Sequence, residues 1–385
     1  MLKHAFRWPS TMVLTLLAGL AHCAPAAAAT PGVTATTILV GQSAALTGPS
    51  SQLGTEMRDG ALAWFDYVNG KGGVAGRQIV LKTLDDAYDG PRAAKTTAQL
   101  LQVDNVFALF GYVGLAATNG ALPLVEQSDV PFFAPLTGAP LVHAKFQPNI
   151  FNIRASNTLE MESIADNLEG MGVKKIAVLY QNDVPGKAVF DAFERTLTRH
   201  HLTIMGTATA ERNSANVTTA VAAIRKMEPT VVVMFTSYPA SAAFIRGMRK
   251  DATSIPFFWN ISFVGSQGLA RALGAEASGV MISQVMPSPW NDKLALIKEY
   301  DQLYLNKPGR QPGFSSLEGF IAAKAFVKGL EKAGTHLTRA SFKEALESMH
   351  GVDLGGYAMT FTPTSHEASH YVELTVLRRD GTFLY

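Results

Sequence analysis

His366, Glu367 and His370 stand in the order H-E-x-x-H. On a helix that spacing brings two imidazoles onto one face, where they hold zinc, and leaves the glutamate as a base for hydrolysis. Here the stretch follows Thr362-Pro363-Thr364-Ser365 and runs into Tyr371-Val372-Glu373-Leu374-Thr375-Val376, whose residue types are those of a strand. In a strand or loop the imidazoles do not share a helical face, and no third ligand stands out. The expectation is therefore no metal, no cofactor and no enzyme. An exported zinc hydrolase centred on this motif is the lesser alternative.

Other stretches fall to simpler readings. Asp85, Asp86 and Asp89 look like a cation site, but they lie where a strand feeds a helix, and short polar side chains cap free N–H groups there. His200-His201 ends a helix. The run from Gly70 to Gly76 lacks the GxxxxGK[ST] form and reads as a turn. Gly111-Tyr112-Val113-Gly114 misses the third glycine of a dinucleotide turn, and no G-x-S-x-G elbow occurs.

The elements that must position these residues alternate. Strands are expected at 37–46, 79–84, 106–111 and 131–134, with helices at 57–68, 91–103 and 115–127 between them. A second series begins with a helix at 159–171. Strands at 175–180, 202–207, 230–235, 257–259 and 280–283 then alternate with helices at 187–200, 217–227 and 239–250. Runs such as Val231-Val232-Val233-Met234-Phe235 are how strands buried on both faces read. Helices at 292–305, 317–333 and 339–348 and strands at 357–361 and 371–378 close the chain. The expected fold is α/β, with two doubly wound parallel-sheet lobes. One lobe takes residues 34–153 and 284–355, the other 154–283 and 356–385, joined by several hinge crossovers. Ligands of such sheets sit at the carboxyl ends of strands, so two facing lobes predict a site between them.

The N-terminus bears on compartment. Lys3, His4 and Arg7 precede an apolar run from Met12 to Ala21 and then Ala27-Ala28-Ala29, the order of a secretory signal over residues 1–29. The run is half the roughly 20 residues that span a bilayer. Cys23, the sole cysteine, is a poor lipidation site because His22 stands where a small residue is expected. The mature chain would have no disulfide, and its about 355 residues suggest two domains. Lys and Arg number 33 against 31 Asp and Glu; without Lys3 and Arg7 the signs balance, which argues against a nucleic-acid partner.

Several segments together resemble the periplasmic leucine/isoleucine/valine-type binding proteins of ABC importers, from about Ile38 to the C-terminus. They are Ala45-Leu46-Thr47-Gly48-Pro49 with Gly54, the run from Val68 to Gly76, and Asp85-Asp86-Ala87-Tyr88-Asp89. Phe110-Gly111-Tyr112-Val113-Gly114, Pro131 to Pro140 and Leu317-Glu318-Gly319-Phe320-Ile321-Ala322-Ala323-Lys324 follow in order. The resemblance implies a type I periplasmic binding fold, hinge closure on a small amino acid or related carboxylate or amide, and delivery by a monomer to a permease in the inner membrane. A freestanding sensor for a signalling partner is the alternative.

The resemblance also implies contacts. Tyr112, Leu115 and Ala116 lie at the first anion-binding turn, and Thr137 and Gly138 in the second contact segment. Tyr238 stands at the second lobe's tyrosine, Leu53 at an aromatic wall position, and Phe314, with Ser315, before the late helix. Asn157 lies where the lobes hand over. The acid that pairs with a ligand's ammonium falls at Ile261 or Ser262, where no carboxylate stands. A buried ammonium without a counter-charge is costly, so a carboxylate or amide lacking one fits better. A family disulfide would join positions matching Tyr88 and Gly114.

Overall fold

The computed structural model describes residues 1–2, 4–5 and 30–385. The apolar run and Cys23 of the expected leader lie outside the described residues.

The first lobe starts with β1 (Thr37–Ala44), α1 (Ser51–Gly70), β2 (Gln78–Asp85), α2 (Gly90–Ala98) and β3 (Ala108–Phe110). It continues with α3 (Gly114–Glu126), β4 (Phe132–Phe133), α4 (Pro140–His143) and β5 (Ile150–Phe151). Its sheet runs β2-β1-β3-β4-β5, parallel throughout. The second lobe has α5 (Asn157–Gly170), β6 (Ile176–Gln181), α6 (Val184–Arg199), β7 (Ile204–Ala210) and α7 (Thr218–Arg225). β8 (Val231–Phe235), α8 (Tyr238–Arg249), β9 (Phe257–Asn260), α9 (Ser266–Leu273) and β10 (Val280–Gln284) follow. β8 is buried at every residue, as a central parallel strand must be.

The chain then crosses to α10 (Ala295–Tyr300), α11 (Phe314–Ala333), α12 (Arg339–Glu347) and the short ribbon β11 (Val352–Asp353) with β12 (Ala358–Met359). It ends at β13 (Glu373–Leu377) and β14 (Phe383–Leu384). α11 lies against α1 through glycines. A Cβ on Gly60 would fall 1.9 Å from the Ser316 carbonyl oxygen, and one on Gly319 would fall 2.1 Å from that of Met57.

Three features depart from the expected elements. The second sheet, β14-β13-β10-β9-β8-β6-β7, is not wholly parallel, because β13 and β14 run antiparallel along its edge. The stretch at 292–305 is α-helical only over α10, continuing in wider turns to Leu305. Not all of the chain after residue 356 sides with the second lobe. Phe361 packs its ring against Phe133 and Phe151, and Asn152 pairs with Glu367. The aromatic core of the first lobe holds this segment until β13 begins.

Candidate functional site

The site is built where strands of both sheets end. After β3 the chain turns through Gly111 and Gly114, both with positive φ, into α3. Val113 caps α3 with no side-chain acceptor, so the N–H groups that follow Gly114 in the first turn of this 13-residue helix stay available. The turn is strapped to the next segment by Leu136 N–H to the Tyr112 carbonyl, 2.7 Å, and Gly114 N–H to the Leu136 carbonyl, 3.1 Å. Asn157 N–H donates to the Gly138 carbonyl at 2.6 Å, fixing the start of α5 against the same wall.

A narrow pocket with about 30 Å³ of internal space lies between the lobes. Tyr88, Leu115, Thr137 and Asn157 line one side; Gln181, Gly186, Val189, Phe235, Ile261 and Phe263 line the other. Its walls are mainly apolar. Its polar groups are the Tyr88 hydroxyl, kept neutral by burial, Thr137, Gln181 and the Asn157 amide. Asn157 is buried and its Oδ1 has no hydrogen-bond partner, which marks it as a group awaiting one. Gln181 donates to Asp183, 2.6 Å away, whose carboxylate caps α6. Among the described lining residues there is neither a carboxylate nor a cation.

The lobes touch around this pocket. Asn213 Nδ2 donates to the Ala87 carbonyl at 2.9 Å, and the Tyr238 hydroxyl to the Pro49 carbonyl at 2.5 Å. Arg271 pairs with Glu56 at 2.8 Å. Ala87 and Tyr88 both have positive φ, 51° and 59°, strain of the kind that collects at ligand sites. Burial raises the Glu56 carboxyl from 4.5 to about 7, with Arg271 opposing. A carboxyl raised on folding contributes stability below its unfolded value and loses it as pH climbs through the folded one. Stability is therefore expected to fall between 4.5 and about 7. In Glu56→Gln that slope should flatten, as read from urea midpoints across the window.

The expected contacts divide. Leu115 and Thr137 line the pocket, Gly138 backs Thr137 against Asn157, and Ala116 packs with Tyr88. Leu53 and Tyr238 meet at the interlobe seam, close around Gly265. Tyr112, expected at the cleft, lies instead in the first-lobe core, its ring 4.9 Å from Phe132 and its hydroxyl 3.0 Å from Thr97. The turn's alternation points it inward. Ser262 faces away from the pocket and is held by Glu160. Phe314 packs on Trp290 and Phe383. Sequence reasoning missed Tyr88 as a lining residue, and with it Gln181, Val189, Phe235 and Phe263. Gln181 and Phe235 end strands, which was the available signal. Asn157 is not the cap of α5; Ser156 is.

Behind Ser262 lies a buried charge cluster. Arg154 sits 3.4 Å from Glu318 and 3.9 Å from Glu160 and donates to the Ser262 hydroxyl. Glu160 also accepts from Ser262 N–H at 2.7 Å and from the Ser283 hydroxyl at 2.6 Å. Burial raises both carboxyls, and Arg154 opposes it.

The H-E-x-x-H stretch is not helical. His366 stacks on Phe151 at 3.8 Å and sits 2.9 Å from the Ile150 carbonyl and 3.2 Å from Glu347. Glu367 bonds Asn152 and His143. These residues tie the returning chain to the first lobe.

A Cβ on Gly114 would fall 2.4 Å from the Tyr88 ring, and Gly114 has φ 88°. The two positions of the implied disulfide are thus neighbours. Gly114→Ala is expected to cost more than about 1 kcal/mol, measured by urea unfolding; an unchanged midpoint would show that the turn relaxes freely.

Two doubly wound lobes with a pocket between their strand ends define a solute receptor of the type I periplasmic binding fold. A family signature described as periplasmic binding protein matches residues 37–382, and the chain belongs to that family, in its branched-chain amino acid group. The Leu/Ile/Val-binding protein homolog 3 of Brucella melitensis is 24% identical over 86% of this chain and 89% of that protein. The Leu/Ile/Val-binding protein BraC3 of Rhizobium johnstonii is 25% identical over 94% and 96%. The crystal structure of a possible leucine/isoleucine/valine-binding protein from Rhodopirellula baltica superposes with a TM-score of 0.86 at 31% identity, covering 91% of this chain and 97% of that one. The family implies solute binding outside the cytoplasm.

Proposed function

We propose that this chain is the solute-binding component of an ABC importer, and that it closes on a small acid or amide with an apolar body and no ammonium. The carrying observation is the pocket lining: apolar side chains from both lobes, an unpartnered Asn157 amide, and no carboxylate. The ligand's carboxylate lies at the first turn of α3, where free N–H groups and the helix dipole favour an anion. Leu115, Ala116, Thr137 and Gly138 form that wall, with Tyr88 and Asn157 beside them. Phe235, Ile261 and Phe263 cover the ligand's body from the second lobe, and Leu53 and Tyr238 close the seam.

Contacts made only with the lobes together drive closure, and the closed monomer docks on its permease. An ammonium in this lining would lack a counter-charge and cost affinity. Native mass spectrometry of protein purified from an extracytoplasmic fraction tests the reading. A co-purified organic acid or amide is expected; a co-purified leucine, isoleucine or valine would overturn it.

A further inference from the structure

Thr137 lines the pocket, and its carbonyl is turned to His143. His143 ends α4 with its side chain 3% exposed. Its Nε2 lies 3.0 Å from the Thr137 carbonyl oxygen, and its Nδ1 contacts Oε2 of Glu367. A neutral imidazole has one N–H and one bare nitrogen, while a carbonyl and a carboxylate only accept. Both bonds form together only when the His143–Glu367 pair holds one proton beyond the imidazole's own. Glu367 is fixed in place: its Oε1 accepts from Asn152 Nδ2 at 2.7 Å, and the backbones of Asn152 and residues 366–368 pair at 2.9 Å.

The surroundings hold few other charges. Lys145 follows α4 on the exposed turn and lines the cavity of about 170 Å³ shared by His143, His366 and Glu367. His366 is paired with Glu347 of α12. α6, packed on α4, turns Val189 and Phe193 inward, while its Lys187 and Asp191 pair with each other. Asn152 and Gln147, the nearest other polar side chains, are neutral.

We propose that His143 and Glu367 are positioning residues of the ligand site. The proton they share ties the returning C-terminal segment to Thr137 and sets the Thr137–Gly138 wall. When pH rises enough to remove that proton, one bond faces two lone pairs and the wall loosens. The consequence for affinity rests on the interlobe pocket being the ligand site.

The test reads the wall without ligand. Nitrogen-detected NMR follows the His143 ring and the Gly138 amide across a pH series. Two ring N–H groups are expected at the low end, with ring and amide shifting at one midpoint. In Glu367→Gln the new amide donates to Nδ1 and its oxygen keeps Asn152, so a neutral imidazole satisfies both bonds. There the Gly138 amide should hold its low-pH position throughout. Glu347→Gln, which changes only the His366 pair, should titrate as wild type. A single N–H on His143 throughout, a Gly138 amide that ignores the pair, or a Glu367→Gln that titrates as wild type would each overturn the proposal. Benzoate affinity is measured in parallel. It should fall with pH in wild type and stay level in Glu367→Gln; if benzoate binds neither while Gly138 follows the pair, the clamp stands and the choice of ligand fails.

Discussion

Arg154→Ala is expected to destabilise the protein by about 3–5 kcal/mol, the cost of removing one partner from a buried charge cluster. Arg154 is 1% exposed and lies where the first crossover leaves β5. It is the cation that faces Glu318, 3.4 Å away, and Glu160, 3.9 Å away. Without it two buried carboxyls lose their cation, and Glu160 keeps only the hydrogen bonds from Ser262 and Ser283. Burial already raises both above their ordinary value, and Arg154 is what opposes this. The sign in pH follows. A carboxyl raised on folding contributes stability below its unfolded value and loses it as pH climbs. The deficit of the variant should therefore be larger at about pH 7.5 than at about pH 5. Glu318→Gln added to Arg154→Ala should recover part of the loss. Urea unfolding at both pH values measures this; an equal deficit at the two, or one below about 1 kcal/mol, would mean water reaches the cluster and solvates it.

The second large effect is on affinity. Asn157→Leu removes the unpartnered amide but keeps the backbone bond to Gly138. A neutral hydrogen bond contributes about 0.5–1.5 kcal/mol, and Oδ1 only accepts, so affinity for a ligand amide that donates to it should drop roughly 2- to 13-fold. Stability should hold or improve, because the Oδ1 being removed has no partner to lose. Calorimetric titration with benzamide, whose N–H can donate to Oδ1, beside a melting curve, separates the two. A variant that melts early while binding normally would make Asn157 structural.

Much of the fold was legible because parallel strands read as apolar runs: β8 and β6 were expected within a residue or two. β5, two residues long, gave no periodicity to find, and α9 is eight residues in a Gly-interrupted stretch, too short to declare its period. The antiparallel edge made by β13 was invisible for a different reason, since strand direction is settled by where the chain re-enters the sheet. At the site, Leu115 and Thr137 could be placed by the resemblance to the leucine/isoleucine/valine-type binding proteins, whose contact turns they match. Tyr112 could not, because a turn of this kind points neighbouring side chains to opposite sides, and its hydroxyl found Thr97 inside. The Arg154 cluster joins residues 164 apart in sequence, and no local pattern announces such a contact. The H-E-x-x-H stretch carried the opposite lesson: the same residue types, extended rather than helical, bind the chain to its own first lobe.

The central claim is a pocket that takes an acid and refuses an ammonium. It is tested most directly by thermal unfolding of protein stripped of carried ligand, against matched pairs. One pair is leucine and its deaminated counterpart 4-methyl-2-oxopentanoate; benzoate and benzamide extend the series. A ligand at 100 times its dissociation constant stabilises the native state by about 2.7 kcal/mol, a readable shift. The account predicts a shift with the oxo acid or benzoate and none with leucine. A shift with leucine and none with the oxo acid would contradict it, and would require a carboxylate beside the lining, such as Asp86 against Tyr88 or Asp183 against Gln181, to reach the ammonium.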